Sequence, residues 1–367
     1  MRILIVNAGS SSLKVSLLDE HDQLLLSESL PAPRGQADEA ALRKALEPAG
    51  GIDAVGHRIV HGGSEFVAPV LIDEQVLHRL EALTDLAPLH QPKSLAALDA
   101  VTEALPDLPA VACFDTAFHA TLPAAAATYA LPAEWRERWG LRRYGFHGLS
   151  HAWVARRVPE LIARDARDLR IVSCHLGAGA SLCAIENGKS IDTTMGFTPL
   201  EGLVMATRSG SVDPGMLLWL LEHEKLSPAE LANTLEHRSG LLGLAGSADM
   251  REIVDRARAD EPSARLALDV YAHRLRAGIA AMAAALGGLD TLVFTGGVGE
   301  HATEVRSQTV AGLAFLGVAL DHARNPETHA DGEIGAEGAT VRTLVLTARE
   351  DIEIARQARA VLSGADA

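Results

Sequence analysis

The chain has 367 residues, 48% of them apolar, and a formal net charge of −15. That length holds one large or two medium domains, and that apolar content supplies a full core. The acidic balance argues against nucleic acid and anionic membrane as partners, since both demand a basic face, but it leaves a small anionic substrate open because local arginines reverse the field in a cleft.

The first strand, Ile3–Val6, breaks at Asn7-Ala8-Gly9 and a run of serines, and apolar alternation resumes over Lys14–Leu18. This reads as strand, tight polar turn and returning strand. Small residues with free hydroxyls and N–H groups, and one Lys beside them, make a surface suited to phosphate oxygens; an ordinary polar hairpin has the same pattern. Further strands are predicted over Gln23–Ser29, Ala54–Ile59, Ala110–Phe114, Arg170–His175, Ser181–Glu186, Thr291–Phe294 and Arg342–Leu346. Helices are predicted over Asp38–Leu46, Ser94–Leu105, Ser150–Ile162, Pro214–His223, Pro228–Glu236, Ser263–Leu286, Glu304–Ala314 and Asp351–Leu362. Alternating strands and helices indicate an α/β architecture. Ala124–Ala127 reads as a surface segment and Asp331–Gly338 as an exposed turn region. No apolar stretch is long enough to span a bilayer, and the N-terminus opens on a strand rather than a signal peptide.

One pattern occurs twice. Val6–Gly9 leads into Ser12–Val15, and His175-Leu176-Gly177-Ala178-Gly179 leads into Ser181–Ala184, followed by a hairpin signal at Asn187-Gly188. Two such hairpins suggest a duplicated α/β domain, although the identity between them is thin. A third small-residue loop, Thr295-Gly296-Gly297-Val298-Gly299-Glu300, follows the strand Thr291–Phe294; glycines there let backbone approach a ligand. Separate structural turns would use glycine in the same way.

The three cysteines, Cys113, Cys174 and Cys183, sit in or beside apolar runs with no Cys-x-x-Cys spacing, so buried reduced thiols and a cytoplasmic location are expected. Arg58 ends a strand before a glycine turn and Arg208 sits on a small-residue loop; each can clamp carboxylate or phosphate, or simply form an ion pair. Asp115, at the end of Ala110–Phe114, and Glu350, at the start of the last helix, are candidates for a metal, or a turn residue and a helix-start carboxylate. Mg²⁺ needs only a few carboxylates beside water and phosphate. His57 and His61 are four apart but cross a strand end, so helical zinc-site geometry is absent. Among the histidines, His147, in a glycine-flanked loop before a helix, stands out as functional.

The order of these segments carries a resemblance. Asn7–Lys14, Gly56–Gly63, Leu86–His90, Phe114–His119, Arg143–Gly148, Gly196–Gly202, Thr207–Gly210 and Phe294–Glu300 together resemble the acetate/propionate kinase family over nearly the whole chain. The resemblance implies two ribonuclease-H-like domains of the actin, sugar kinase and chaperone ATPase superfold around a cleft. It places 1–119 with 351–367 in an N-terminal domain, and 120–350 in a C-terminal domain that binds nucleotide and forms a homodimer. The implied reaction is reversible, direct in-line transfer of a phosphoryl group from ATP to acetate, giving acetyl phosphate and ADP, with Mg²⁺ or Mn²⁺. Another short-chain carboxylate kinase, or a non-catalytic ATP-binding switch on the same fold, are the alternatives.

By the same resemblance, Asn7 and Glu350 hold the metal and Lys14 contacts nucleotide phosphate. Arg58 and Arg208 bracket the carboxylate and the transferring group, with Asp115 and His147 catalytic. His175, Leu176, Gly177, Ala178 and Gly179 line the phosphates. Asp249, Met250 and Arg251 with Gly297, Val298, Gly299, Glu300 and His301 surround the adenosine. Val60, Leu89, Phe146 and Pro199 form the pocket for a short acyl group. The chain departs from the family pattern at Ala178, where Asn is usual, at Ser211, where Asp is usual, and at Arg349, where Asn is common.

Overall fold

The computed structural model describes all residues except 9–11, 33–38, 47–49, 85–90, 329 and 366–367. The tip of the first hairpin and Leu89 therefore lie outside the described residues. Strands β1 (Ile3–Ala8), β2 (Ser12–Leu18), β3 (Leu24–Pro31), β4 (Ala54–Ile59), β5 (Val70–Leu71) and β6 (Ala110–Phe114) form one sheet in the order β3-β2-β1-β4-β6-β5. Strands β7 (Arg170–Leu176), β8 (Ala180–Glu186), β9 (Lys189–Thr193), β10 (Thr291–Thr295), β11 (Gly332–Glu333) and β12 (Arg342–Val345) form the other, ordered β11-β12-β10-β7-β8-β9. In each sheet three antiparallel strands lead into parallel neighbours: β1 pairs with β4 and β4 with β6, as β7 pairs with β10 and β10 with β12. Each also ends on a two-residue antiparallel edge, β5 or β11. The shared topology bears out the expected duplicated α/β domain.

The pattern of β1 explains its place at the centre. Ile3, Leu4, Ile5 and Val6 are all buried, as a strand covered on both faces requires. Leu4 and Val6 pack with Ala97, Val101 and Ala104 of helix Gln91–Ala104. Ile3 and Ile5 pack with Ile352, Ile354, Ala355 and Ala358 of helix Glu350–Ser363. A fully buried side chain of this size contributes roughly 1.5–3 kcal/mol. Gly56 on β4 lets that last helix approach, since a Cβ there would stand 2.6 Å from Ile354 Cγ2.

The chain divides into two compact units, Met1–Ala120 with Phe146–Trp153 and Arg349–Ala367, and Thr121–Gly145 with Val154–Ala348. The expected limits had left Phe146–Trp153 in the second part. This segment groups with the first unit because Leu149 joins the Ile3 and Ile5 cluster and the Gly148 N–H donates to the Asp115 carbonyl at 2.9 Å.

The strands Ala54–Ile59 and Ala110–Phe114 coincide with their predicted limits. Several helices were not predicted. Helix Glu74–Ala82 buries Val76 and Leu80 and is capped by Asp73, whose side chain accepts from the Val76 N–H at 2.7 Å. Asp331–Gly338 is not simply an exposed turn: β11 pairs with β12, and Ile334 is fully buried. The turn-forming residues there obscure a strand two residues long. All three cysteines are free and buried, and burial raises their thiol pKa values. Among the described residues no helix is long and apolar enough to cross a membrane.

Candidate functional site

In the first unit the chemistry gathers around Arg58. Side chains alternate along β4, so Arg58 shares with Gly56 the face covered by helix Glu350–Ser363. Its Nη2 donates to Asp115 Oδ2 at 2.6 Å, its Nε reaches both Asp115 oxygens at 3.1 and 3.2 Å, and its Nη1 donates to Asn7 Oδ1 at 3.0 Å. Glu350 Oε2, at the start of the helix, lies 4.0 Å from Nε. Burial opposes the guanidinium charge, but Asp115 and Glu350 outweigh it, so the pKa of Arg58 is raised. The strand ends β1, β4 and β6 thus bring Asn7, Arg58 and Asp115 together with Glu350.

Asp115 is 1% exposed and its backbone is held at both ends. Its N–H donates to the Ile59 carbonyl at 3.0 Å and its carbonyl accepts from Gly148. A Cβ on Gly148 would lie 2.1 Å from that carbonyl oxygen, so only glycine fits. Next to it, His147 has φ of +56° and Gly145 has φ of +75°. A left-handed histidine is unfavourable unless its surroundings fix it, and such residues concentrate at functional positions. Between these two residues Phe146 is buried, with its ring 5.4 Å from His61 in an edge contact and its carbonyl 3.0 Å from His119 Nε2. Val60 is also buried. Lys14 is exposed on β2, opposite Asn7 in the β1–β2 register.

Asn7, Asp115 and Glu350 present hard oxygen donors around one guanidinium. Among the described residues no group of three or more His, Cys, Asp or Glu could form a denser metal cage. A carboxamide and one or two carboxylates suit Mg²⁺, which keeps several waters and favours substrate phosphates as its remaining ligands.

The second unit contains a cavity of about 720 Å³. Gly177, Ala178, Asp249, Met250, Arg251, Gly297, Val298 and His301, all expected to bind nucleotide, line it. His175, Leu176, Gly179, Gly299 and Glu300 are not among the lining residues. Gly179 instead accepts the Gly177 N–H at 2.9 Å through its carbonyl, which shapes the loop. Leu176 is fully buried, and Glu300 Oε1 accepts the Ala348 N–H at 3.0 Å. Asp249 caps helix Met250–Arg258, and its pairing with the Arg251 side chain and N–H holds its carboxyl near 2. Sequence reasoning missed Arg306, which is fully buried and donates to the Gly299 and Glu300 carbonyls at 2.8 and 2.6 Å. Burial lowers it to about 10. Helix Thr303–Val310 is mostly polar in sequence, so nothing there marks Arg306 as buried.

Arg208 contrasts with Arg58. Its Nη1 donates to the Pro199 carbonyl at 2.6 Å, and among the described residues no carboxylate forms a salt bridge with it. Burial lowers its pKa, only partly offset by Glu236. A desolvated guanidinium with one neutral acceptor is a strong site for an anion.

A sequence model of the Acetokinase family matches residues 36–356. The chain belongs to the acetokinase family. Among curated acetokinase relatives, acetate kinase of Dictyoglomus thermophilum is 43% identical, covering 97% of this chain and 98% of its own. Acetate kinase of Bacillus subtilis is 40% identical over the same shares. Among solved structures, Porphyromonas gingivalis acetate kinase has a TM-score of 0.91 at 36% identity, covering 98% of this chain and 99% of its own. A Francisella tularensis propionate kinase has a TM-score of 0.90 at 35% identity, over 97% and 98%.

The departures from the usual acetokinase pattern now have local roles. Ser211 Oγ accepts the Gly202 N–H at 3.0 Å, the kind of acceptor role a carboxylate would fill. Arg349 pairs with Asp351 through three contacts of 2.9–3.2 Å, neutralising the carboxylate next to Glu350. Ala178 is exposed on the cavity wall, so the missing amide removes polarity from that wall without disturbing the core.

Proposed function

We propose that this protein is an acetate kinase that transfers the terminal phosphoryl group of ATP to acetate, reversibly, giving acetyl phosphate and ADP. The observation that carries this reading is near-full-length similarity to acetate kinases combined with the Asn7–Arg58–Asp115–Glu350 cluster. The acceptor is a carboxylic acid with a pKa near that of Glu, about 4.3, so it is ionised at neutral pH and needs no general base. The obstacle is repulsion between two anions. Arg58 and Arg208 are assigned to counter it, Arg208 being the one that forms no salt bridge among the described residues. Asp115 orients Arg58, and His147 donates a hydrogen bond to the transferring group. Val60 and Phe146, both buried in the first unit, limit the acyl chain to a short one. Lys14 and the loop 175–179 bind the nucleotide phosphates, and the cavity lined by Asp249, Arg251 and Gly297 takes the adenosine. Asn7 and Glu350 would hold Mg²⁺ (or Mn²⁺), which when bound neutralises charge on the phosphate oxygens.

The propionate kinase of F. tularensis, equally similar in structure, supports a second reading in which propionate is the preferred acceptor. One methylene discriminates by only about 1–3 kcal/mol, so the two acids are best compared directly. We further propose a cytoplasmic protein that forms a homodimer through the second unit. Helix Pro214–Glu222 supports the latter: it has no buried residue, and Met216, Leu218 and Trp219 are 43, 59 and 48% exposed. Trapping acyl phosphate as a hydroxamate with acetate, propionate and butyrate in turn tests the assignment. Acetate is expected to give the highest rate; ATP hydrolysis with no hydroxamate from any acid would overturn it.

A further inference from the structure

The segments 143–148 and 196–202 stood out in sequence, yet the reaction uses few of their residues. Within the second unit, residues 143–145 meet 196–202 at a polar cluster. The Tyr129 hydroxyl donates to Glu201 Oε2 at 2.5 Å and accepts the Phe197 N–H at 2.9 Å. Arg143 Nη2 donates to Glu201 Oε1 at 2.8 Å, while its Nη1 donates to the Thr194 and Met195 carbonyls at 3.1 and 3.0 Å. The Tyr144 N–H donates to the Gly196 carbonyl at 3.0 Å. A side chain at residue 196 would have to displace the pair, because a Cβ would lie 1.7 Å from Glu201 Oε2 and 2.1 Å from the Tyr129 oxygen. The stretch leading into the loop is thus tied to the Glu201 carboxylate: Phe197 through Tyr129, and Thr194 and Met195 through Arg143.

Pro199 sits between the tied Phe197 and Glu201 itself, and its carbonyl is the acceptor for Arg208 Nη1 at 2.6 Å. A proline restricts the loop further through its fixed φ. Arg208 therefore takes its orientation from a carbonyl whose position depends on Glu201. We infer that Glu201, braced by Tyr129 and Arg143, is a positioning residue that aims the Arg208 guanidinium at its anion through the Pro199 carbonyl. The inference rests on the acetate kinase reading for the anion's identity, and on geometry alone for the link to Arg208. Glu201 touches neither substrate nor nucleotide in this scheme.

The test uses the full-length protein. Glu201→Gln keeps size and an acceptor for Tyr129 but removes the charge facing Arg143; Glu201→Ala removes both. A misplacement of about 1 Å at a reacting group costs on the order of 100-fold. The expected result is a fall in kcat for acetate phosphorylation of roughly tenfold for Glu201→Gln and roughly 100-fold for Glu201→Ala. The KM for ATP should stay within about twofold, because the loop does not line the cavity assigned to adenosine. Added to Arg208→Ala, Glu201→Ala should cost less than about twofold more, since its effect is spent through that side chain. A kcat for Glu201→Ala within about twofold of the parent, or a loss that multiplies in full with that of Arg208→Ala, overturns the inference. If the alanine variant does not fold, Glu201→Gln and Tyr129→Phe are read by the same criteria. A parent protein that makes no acetyl phosphate brings down the functional reading but not the positioning link. In that case crystal structures of the parent and Glu201→Gln decide it: Arg208 displaced from Pro199 supports the link, and an unchanged hydrogen bond refutes it.

Discussion

Replacing Asp115 with Asn keeps the shape of the side chain and removes its charge. Asp115 is 1% exposed and takes three contacts from Arg58, which is itself 18% exposed and keeps Asn7 and Glu350 as further partners. Breaking a buried pair by altering one partner costs about 3–5 kcal/mol. Glu350, 4.0 Å from the guanidinium, and residual access to water offset part of that. The net cost is therefore about 2 kcal/mol, localised to the ends of β4 and β6. A chain of two units need not unfold in one step, so the local measurement is native-state hydrogen exchange of amides in β4 and β6. A loss of about 2 kcal/mol corresponds to roughly 30-fold faster exchange. In a cycle with Arg58→Gln, the coupling between the two substitutions should also be near 2 kcal/mol. Exchange within about twofold of the parent, with coupling below about 0.5 kcal/mol, would refute the idea that this pair organises the site.

Gly148→Ala places a Cβ against the Asp115 carbonyl and should lower both kcat, by at least about tenfold, and stability, by about 1–3 kcal/mol; unchanged kinetics in the hydroxamate assay would contradict the packing argument. Ala178→Asn adds an amide to the wall of the cavity proposed to take the nucleotide and should lower the KM for ATP by about two- to tenfold, matching one hydrogen bond of 0.5–1.5 kcal/mol; a higher KM would show that the wall has no room for it. Burial drops the imidazoles of His57 and His61 to about 4. The unfolded chain then binds more protons below its ordinary pKa of about 6.5, so the stability they contribute is complete above that pH and is lost as pH falls toward 4, on the order of 3 kcal/mol each. His57→Phe should remove about half of this slope in unfolding experiments between pH 4 and 7, and an identical slope in the variant would contradict the assignment.

Much of this was legible because local chemistry and global fold agree. The strands Ala54–Ile59 and Ala110–Phe114 are apolar runs bounded by turn residues, and the small-residue loop at 177–179 could be placed at a strand end from glycine alone. The duplication was readable from two hairpins with little identity, because the topology repeats even where the sequence does not. Other features depend on distant partners. Nothing near Arg58 in sequence indicates that Asp115, 57 residues on, would hold it, whereas Arg208 would donate to the Pro199 carbonyl and form no salt bridge among the described residues. Glu300 belongs by sequence to a glycine-rich ligand loop, yet its side chain turns inward to the Ala348 N–H. Helix Glu74–Ala82 is mostly polar and shows only two buried positions, too few to reveal its period. The strand pair at Gly332–Glu333 exists only because β12 offers an edge.

Phosphorus NMR of the purified protein incubated with ATP, Mg²⁺ and acetate tests the central claim most directly, because donor and product are seen in one spectrum. The account predicts that acetyl phosphate and ADP appear in equal amounts, and that both disappear when acetate is omitted. ADP accumulating with inorganic phosphate at the same rate with or without acetate would contradict it.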